Sequence, residues 1–449
     1  SGLDPHISKQ AALIQVNRIA EIRGIVKEDL VNLINKYNED AFLGLFGPKD
    51  IVNVLKLNIA LDQINAEVAF TNRIKNSKKM KKLMTLAVAA LGIAVAHAQE
   101  TEEENKHSLR LTGYVDGYFA GYDNDLGQQE FQPFITVGAR DNSFGINVAQ
   151  FGLHYQHEKV RGNVTLHYGD IPQATWSGDF NMLQEANVGV LLTNGLWLDA
   201  GFFRTHIGTE SFLPKNNMLS STAFKTYNEP FYQAGAKLSY DNVENWYFEL
   251  WALNGYNNFV DNNDAKSVGA LISHNFSENT SITYTNIYGR ESEDGISPEQ
   301  NRFYQNIYLN QNWNNKVFLT IGFDYGIQTN SELKNSSETA NMYAGLVTAR
   351  YQFMPKWSMT GRAELFKDEN GFISGTTINA NGSIKGVELT GYTLGTEYRP
   401  IPNSYLRAEA RYTHVADDLE ILINDGQPSN HRLEVLLTMG LEIDKMFKF

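Results

Sequence analysis

At 449 residues the chain is too long for one ordinary globular core. Its composition, 20% charged, 12% aromatic and 36 glycines, suits many half-exposed strands joined by polar turns. A formal charge of −13 argues against nucleic acid as a partner, and the absence of Cys excludes thiolate zinc sites, Cys nucleophiles and disulfides. No uncharged apolar run reaches the roughly eighteen residues of a spanning helix, so any membrane crossing falls to strands.

Residues 1–70 carry helix signals. Ser8 stands as a cap before 11–23, with Gly24 as the stop, and Leu30, Leu33, Ile34 and Tyr37 follow at helical spacing; 55–68 predicts a further helix. A small helical or α/β piece is expected, with no catalytic constellation, and its start at Ser1 without Met reads as a truncation. The stretch Ser1-Gly2-Leu3-Asp4-Pro5-His6-Ile7-Ser8 resembles the C-terminal domain of the KdpC subunit of the potassium-transporting P-type ATPase. Gln15-Val16, Arg18-Ile19-Ala20, Leu43-Gly44, Phe46-Gly47, Val52-Asn53-Val54-Leu55, Leu57-Asn58 and Ala60-Leu61-Asp62 continue the resemblance, which covers about residues 1–68. It implies an accessory, non-catalytic subunit in ATP-driven potassium uptake at the inner membrane, associating with the channel-like KdpA and ATP-hydrolysing KdpB subunits. Asp4 and His6 are then candidates for contact with those subunits, and capping of the following helix explains them as well. Two ligands do not make a metal site.

After a linker over 71–79, residues 80–98 have the three parts of a secretory signal peptide. Lys81 and Lys82 are basic, the run from Leu83 to Val95 is apolar, and Ala96-His97-Ala98 is a small-x-small end. Cleavage after Ala98 leaves a polar lead over 99–106. A signal works at an N-terminus, so this one predicts that two reading frames have been joined.

From residue 107 to 449 the apolar period becomes two, the strand period. Val164, Leu166 and Tyr168 oppose Arg161, Asn163, Thr165 and His167, and Val317, Leu319, Ile321 and Phe323 oppose Thr320 and Asp324. Met359, Ala363 and Leu365 oppose Thr360, Arg362 and Glu364, while Leu406, Ala408, Ala410 and Tyr412 oppose Arg407, Glu409 and Arg411. Short turns at 157–159, 193–195, 241–245, 277–279, 314–315, 354–356 and 399–402 alternate with long polar stretches at 123–145, 170–181, 208–230, 255–265, 291–301, 329–339, 367–384 and 415–430. That ledger predicts an antiparallel transmembrane β-barrel of about sixteen strands in the outer membrane, with tight periplasmic turns and long extracellular loops. Aromatics at strand ends, among them Tyr114, Tyr155, Tyr168, Tyr240, Trp246, Trp313, Tyr351, Trp357, Tyr398 and Tyr412, are expected in two interfacial girdles.

The last strand keeps one phase through Phe447 to Phe449, and a terminal aromatic in that phase resembles the signal read by the outer-membrane assembly machinery. In layout and termini, residues 99–449 resemble the OmpL-like porins of Gram-negative bacteria. The resemblance implies passage of ions and small solutes, a lipid bilayer as surroundings and, porins being often trimers, room for a homotrimer.

Selectivity would lie in the inward charges. Lys237, Arg350, Arg362, Arg407, Arg411 and Arg432 are expected to form a basic wall, Glu249 and Asp324 to face it, and Glu364, Glu409 and Glu434 to interleave. Arg161 and His167 join them as pore-lining candidates. Paired charges that merely stiffen the wall are the competing reading. The clusters Asp123-Asn124-Asp125 and Asp261-Asn262-Asn263-Asp264 offer Ca²⁺ oxygen ligands, although turn chemistry accounts for them too, and no other cofactor is expected. A barrel hydrolase lacks a Gly-x-Ser-x-Gly elbow, and the ten His residues have no partner spacing. A non-conducting receptor or adhesin barrel fits the long loops equally.

Overall fold

The computed structural model describes residues 6–16, 19–20, 27–36, 38–39, 51–53, 57 and 107–449, apart from 124–129, 179, 262, 380, 417–418 and 425–426. The chain divides into two compact units, Ser1–Glu102 and Glu103–Phe449. Asp4, the 80–98 segment and nearly all of the helix expected over 55–68 lie outside the described residues.

In the first unit, β1 (His6–Ser8), β2 (Asn38–Glu39) and β3 (Ile51–Asn53) form an antiparallel sheet in the order β1-β3-β2. Helices α1 (Lys9–Ile14) and α2 (Lys27–Lys36) contribute Ala12, Leu30 and Ile34 to a small core in which Val16 and Val52 are also buried. Leu30 and Ile34 lie four residues apart on one face of α2, as their spacing predicts.

The second unit is a closed barrel of sixteen strands. They are β4 (His107–Tyr122), β5 (Ser143–His157), β6 (Val160–Tyr168), β7 (Leu183–Thr193), β8 (Leu196–Arg204), β9 (Tyr232–Val243), β10 (Trp246–Leu253), β11 (Ser267–Ser277), β12 (Thr280–Arg290), β13 (Asn301–Trp313), β14 (Val317–Gln328), β15 (Ala340–Met354), β16 (Trp357–Asp368), β19 (Val387–Tyr398), β20 (Ser404–Val415) and β23 (His431–Lys448). Two small hairpins, β17 (Thr377–Ile378) with β18 (Ile384–Lys385) and β21 (Leu422–Asn424) with β22 (Gln427–Ser429), stand in the last two long connections. Each barrel strand pairs antiparallel with its neighbour, and short and long connections alternate throughout.

The short turns have the chemistry they need. Asn314 and Asn315 both adopt positive φ (52° and 57°) between β13 and β14, a conformation that suits hairpin twist and that Asn tolerates.

Side chains alternate across the wall with the polarity of a membrane body. Leu250 and Met439 are each 62% exposed on the outside, whereas Arg407 and Asp324 are 3% and 0% exposed inside. A water-soluble fold would bury the first pair and expose the second; here hydrocarbon is the outer solvent, and closure leaves no free strand edge in it. Trp246, Trp313, Tyr351 and Trp357 form the exposed girdle at the short-turn end, and Tyr168, Tyr288, Tyr325, Tyr343 and Tyr412 the one at the long-loop end. Tyr114 departs from the expected girdle. It is 1% exposed inside the barrel, hydrogen-bonded to Tyr405 and to Asp116, because its position has the inward phase.

Closure falls to the chain's last residues. β23 pairs with β4 from Glu434↔Tyr122 to Lys448↔Ser108, and Phe449 exchanges two backbone hydrogen bonds of 3.1 Å with His107 while its ring stacks on the His107 imidazole. Deleting Phe449 removes that last rung, so we expect slower assembly and a heat-modifiable band that unfolds at lower temperature on gels; an unchanged transition would show that the rung contributes nothing.

Candidate functional site

A barrel of sixteen strands is wide enough for a water-filled lumen, so what occupies the interior decides what it can do. The connection between β8 and β9, residues 205–231, runs into the lumen. It carries an apolar strip, Phe212-Leu213 and Leu219 followed by Ala223-Phe224, and all five are buried. A short helix, α4 (Phe224–Asn228), follows a single turn, α3 (Asp170–Thr175), from the preceding long connection. Phe224 packs edge-on against Phe366 of the wall and near Phe134 of the first long connection, and Leu213 joins a cluster with Tyr114, Trp176 and Tyr405.

Dry backbone requires partners for its N–H and C=O groups. The wall supplies them with charged side chains. The Arg407 guanidinium donates to the carbonyls of Pro214 and Asn217, each at 2.8 Å, Arg362 donates to that of Ser221 at 2.6 Å, and Arg411 to that of Thr222 at 3.2 Å. In the opposite sense the Glu409 carboxylate accepts the N–H groups of Ser220 and Ser221, and Glu364 accepts that of Phe224 at 2.6 Å. Ser220 also meets Thr438 hydroxyl to hydroxyl at 2.6 Å.

One loop side chain completes the clamp. Lys225, 1% exposed, places Nζ 2.9 Å from both oxygens of Asp324 and 2.6 Å from Glu229, while Tyr304 donates to Asp324 at 2.6 Å. Burial, reinforced by the Asp324 charge against the opposing pull of Lys225, pushes the Glu229 carboxyl up to about 8.

Every pore-lining candidate falls on the inward phase, but the expected open basic wall is corrected. Arg362, Glu364, Arg407, Glu409, Arg411 and Asp324 lie beneath the loop, each at most 6% exposed, and bind it instead of fronting water. Arg432 donates to the Pro133 carbonyl at 3.1 Å and lies 3.8 Å from Glu434, itself 3.7 Å from Arg411. His167 is sealed edge-on against Trp176 with neither ring nitrogen hydrogen-bonded. On the far wall Arg161 pairs with Asp199 and lies over Trp197, and Lys237 pairs with Glu249 at 2.8 Å. Arg350 lies over Phe318 at 4.2 Å. His6 belongs to β1 of the first unit.

Open space remains on the other side of the loop. A cavity of about 620 Å³ runs between residues 204–218 and the strands from β7 to β15, with Lys237, Glu249, Asn310, Thr320 and Thr348 on its lining. A second of about 290 Å³ lies by the short turn at Glu278-Asn279 and is lined by Asn275, Gln311 and Asn312. Met218, Asn310 and Thr320 line both, so the two are neighbours.

Of the acidic loop clusters, Asn124, Asp125 and Asn262 lie outside the described residues, and two of the described carboxylates have other partners. Asp123 accepts the Leu433 N–H at 2.9 Å and Asp261 pairs with Lys266; among the described residues no three carboxylates or imidazoles gather as a cation cage.

Comparison with known proteins bears on this inward-folded loop in a sixteen-strand wall. Residues 108–443 match the model of the beta-barrel porin-2, OmpL-like family. The chain belongs to this porin family. Among solved structures, an anion-selective porin from Comamonas acidovorans aligns with TM-score 0.52 and 10% identity over 75% of this chain and all of that one. The outer membrane channel DcaP of Acinetobacter baumannii aligns with TM-score 0.52 and 12% identity over 76% of this chain and 99% of that one. At such identities they share the fold alone, an outer-membrane porin barrel. The loop that enters this porin was missed from sequence because its polar residues read as an extracellular loop; Phe212-Leu213 and Ala223-Phe224, too apolar for water, were the available signal.

The first unit has separate relatives. Residues 1–63 match the K⁺-transporting ATPase c chain family. A KdpC subunit 2 from Nostoc sp. is 53% identical over 62 residues, and a KdpC subunit from Synechocystis sp. 55% identical over 62. These matches take in 14% of this chain and 31% and 32% of the relatives, so the chain spans about a third of their length.

Proposed function

We propose that the barrel is a passive pore of the outer membrane, passing ions and small hydrophilic solutes along the polar strip that the inward-folded loop leaves open. The observation that carries this reading is the pair of neighbouring cavities that share Asn310 and Thr320, with Thr348 on the larger one. Amide and hydroxyl groups can replace the water of a small solute without fixing a strong charge, which suits passage over retention. Purified barrel in planar bilayers should give discrete single-channel steps. An inert bilayer would instead favour a receptor or adhesin barrel, a reading that the buried loop clusters around Trp176 and Phe224 also suit.

Recognition of Phe447 and Phe449 by the assembly machinery, association as a homotrimer, and placement of the first unit with a Kdp complex at the inner membrane belong to the same proposal. So does cleavage after Ala98. Mass spectrometry of the outer-membrane fraction should then find a mature terminus at Gln99; peptides that join residues 1–79 to the barrel would refute separation of the two parts.

A further inference from the structure

Nearly every inward charge of this barrel is answered by another group, and Arg350 is the exception. Arg161 has Asp199, Lys237 has Glu249, Arg204 has Glu185, and Arg399 and Arg407 share Glu397 at 2.7 Å each. Among the described residues Arg350 makes neither a hydrogen bond nor an ion pair, and its Nε is sealed from water without an acceptor. Its one close partner is the Phe318 ring, 4.2 Å from the guanidinium carbon. A guanidinium held over a ring face is attracted by the ring without using any of its N–H donors. A partly buried donor set left unfilled costs stability, so such a group persists where something else uses it.

The surroundings make the place attractive to an anion. Its charged neighbours are Glu397, Arg399 and Arg407. Glu397 is fully occupied, since Arg399 donates to both of its oxygens and Arg407 to one. Glu409 is taken by the loop N–H groups. Among these nearest charges three guanidiniums, Arg350 included, stand against the one Glu397 carboxylate, in a barrel segment that is acidic as a whole.

Position ties this excess to the open path. Thr348, two residues earlier on the same face of β15, lines the larger cavity, and Phe318, opposite Arg350 in the β14 to β15 register, lines the smaller one. Arg350 is four residues from the short turn after Met354, near the periplasmic mouth. We propose that Arg350 receives a carboxylate or phosphate group of a solute in the lumen and so biases the path toward anions. The bias rests on the pore reading above; the binding site does not. A planar guanidinium matches an oxyanion with two parallel N–H···O bonds, and the Phe318 ring beside it takes up none of those donors.

Two measurements on the purified full barrel test this, with Arg350→Gln and Arg350→Lys. Arg350 anchors nothing, so neither change removes a bond on which folding depends. In planar bilayers under a potassium chloride gradient, Arg350→Gln should move the reversal potential toward cations, and Arg350→Lys should recover part of the shift. In detergent, inorganic phosphate should show a broadened ³¹P line with the wild-type barrel, and its affinity should fall about tenfold or more in Arg350→Gln. Phosphate broadening equal in wild type and Arg350→Gln would overturn the site. A wild-type barrel that broadens phosphate but never conducts would support the site while rejecting the pore reading, and a conducting barrel whose reversal potential ignores Arg350→Gln would overturn the bias.

Discussion

Lys225→Met should detach the inner loop and change the pore from a narrow, quiet one to a wider, noisy one. Among the described residues the ammonium is the one positive charge paired with Asp324 and Glu229 in that pocket, where the three groups are 0 to 4% exposed. Removing one member of a buried ionic cluster leaves the others uncompensated, at a cost of about 3–5 kcal/mol. That is comparable to what one short segment can hold by packing Phe224 and Leu219. The wall itself should survive, because its ladder of sixteen antiparallel pairings does not pass through the loop. Two readouts follow: larger, fluctuating single-channel steps, and cleavage of residues 205–231 by added protease at a rate the wild type does not show. The neutral set Lys225→Met, Asp324→Asn, Glu229→Gln should restore much of the quiet state, since a buried ion cluster can be exchanged for uncharged groups at little net cost. Wild-type steps and protease resistance in the single variant would mean that the backbone clamps at Arg407, Arg362 and Glu409 hold the loop unaided.

That experiment also marks where sequence reading stopped. Period two told which side chains turn inward, and Arg407, Glu409, Arg411, Arg362 and Glu364 all do. Alternation is a local property of an extended chain, so it survives whatever else the protein does. The turns were equally legible, since Asn194-Gly195 and Asn314-Asn315 carry their own conformational preference. What fills the inside is not local. Arg407 meets Pro214 and Asn217 across nearly two hundred residues, and no spacing rule connects them. Charges that alternate along β20 look the same whether they face water or a folded loop. The difference resides in the apolar content of a distant connection, and Leu213, Leu219 and Phe224 were the residues to weigh. Tyr114 shows the converse error: an aromatic near a strand end suggested the interface, although its phase already turned it inward toward Tyr405.

The second large effect separates the two faces of a single strand. On β13, Ile307 points outward, 41% exposed, and Asn310 points inward and lines both cavities. Ile307 lies mid-strand, so a charge there must sit in hydrocarbon, and Ile307→Arg should cost about 2–4 kcal/mol of folding free energy in lipid vesicles. Asn310→Arg places the same charge in the polar lumen. It forfeits the hydrogen bond that Asn310 accepts from Thr320 at 2.7 Å, so a cost within about 1 kcal/mol is expected. The ordering is the reverse of that in a water-soluble sheet, where an outward Arg is nearly free and an inward one is expensive. Urea unfolding of both variants in bilayers of fixed composition reads the difference directly. The contrast should shrink in short-chain detergent, whose thin apolar belt lets a long guanidinium stem reach water. Equal costs for the two variants in a full bilayer would mean that Ile307 does not face lipid, and the apolar wall from Leu250 around to Met439 would then need another explanation.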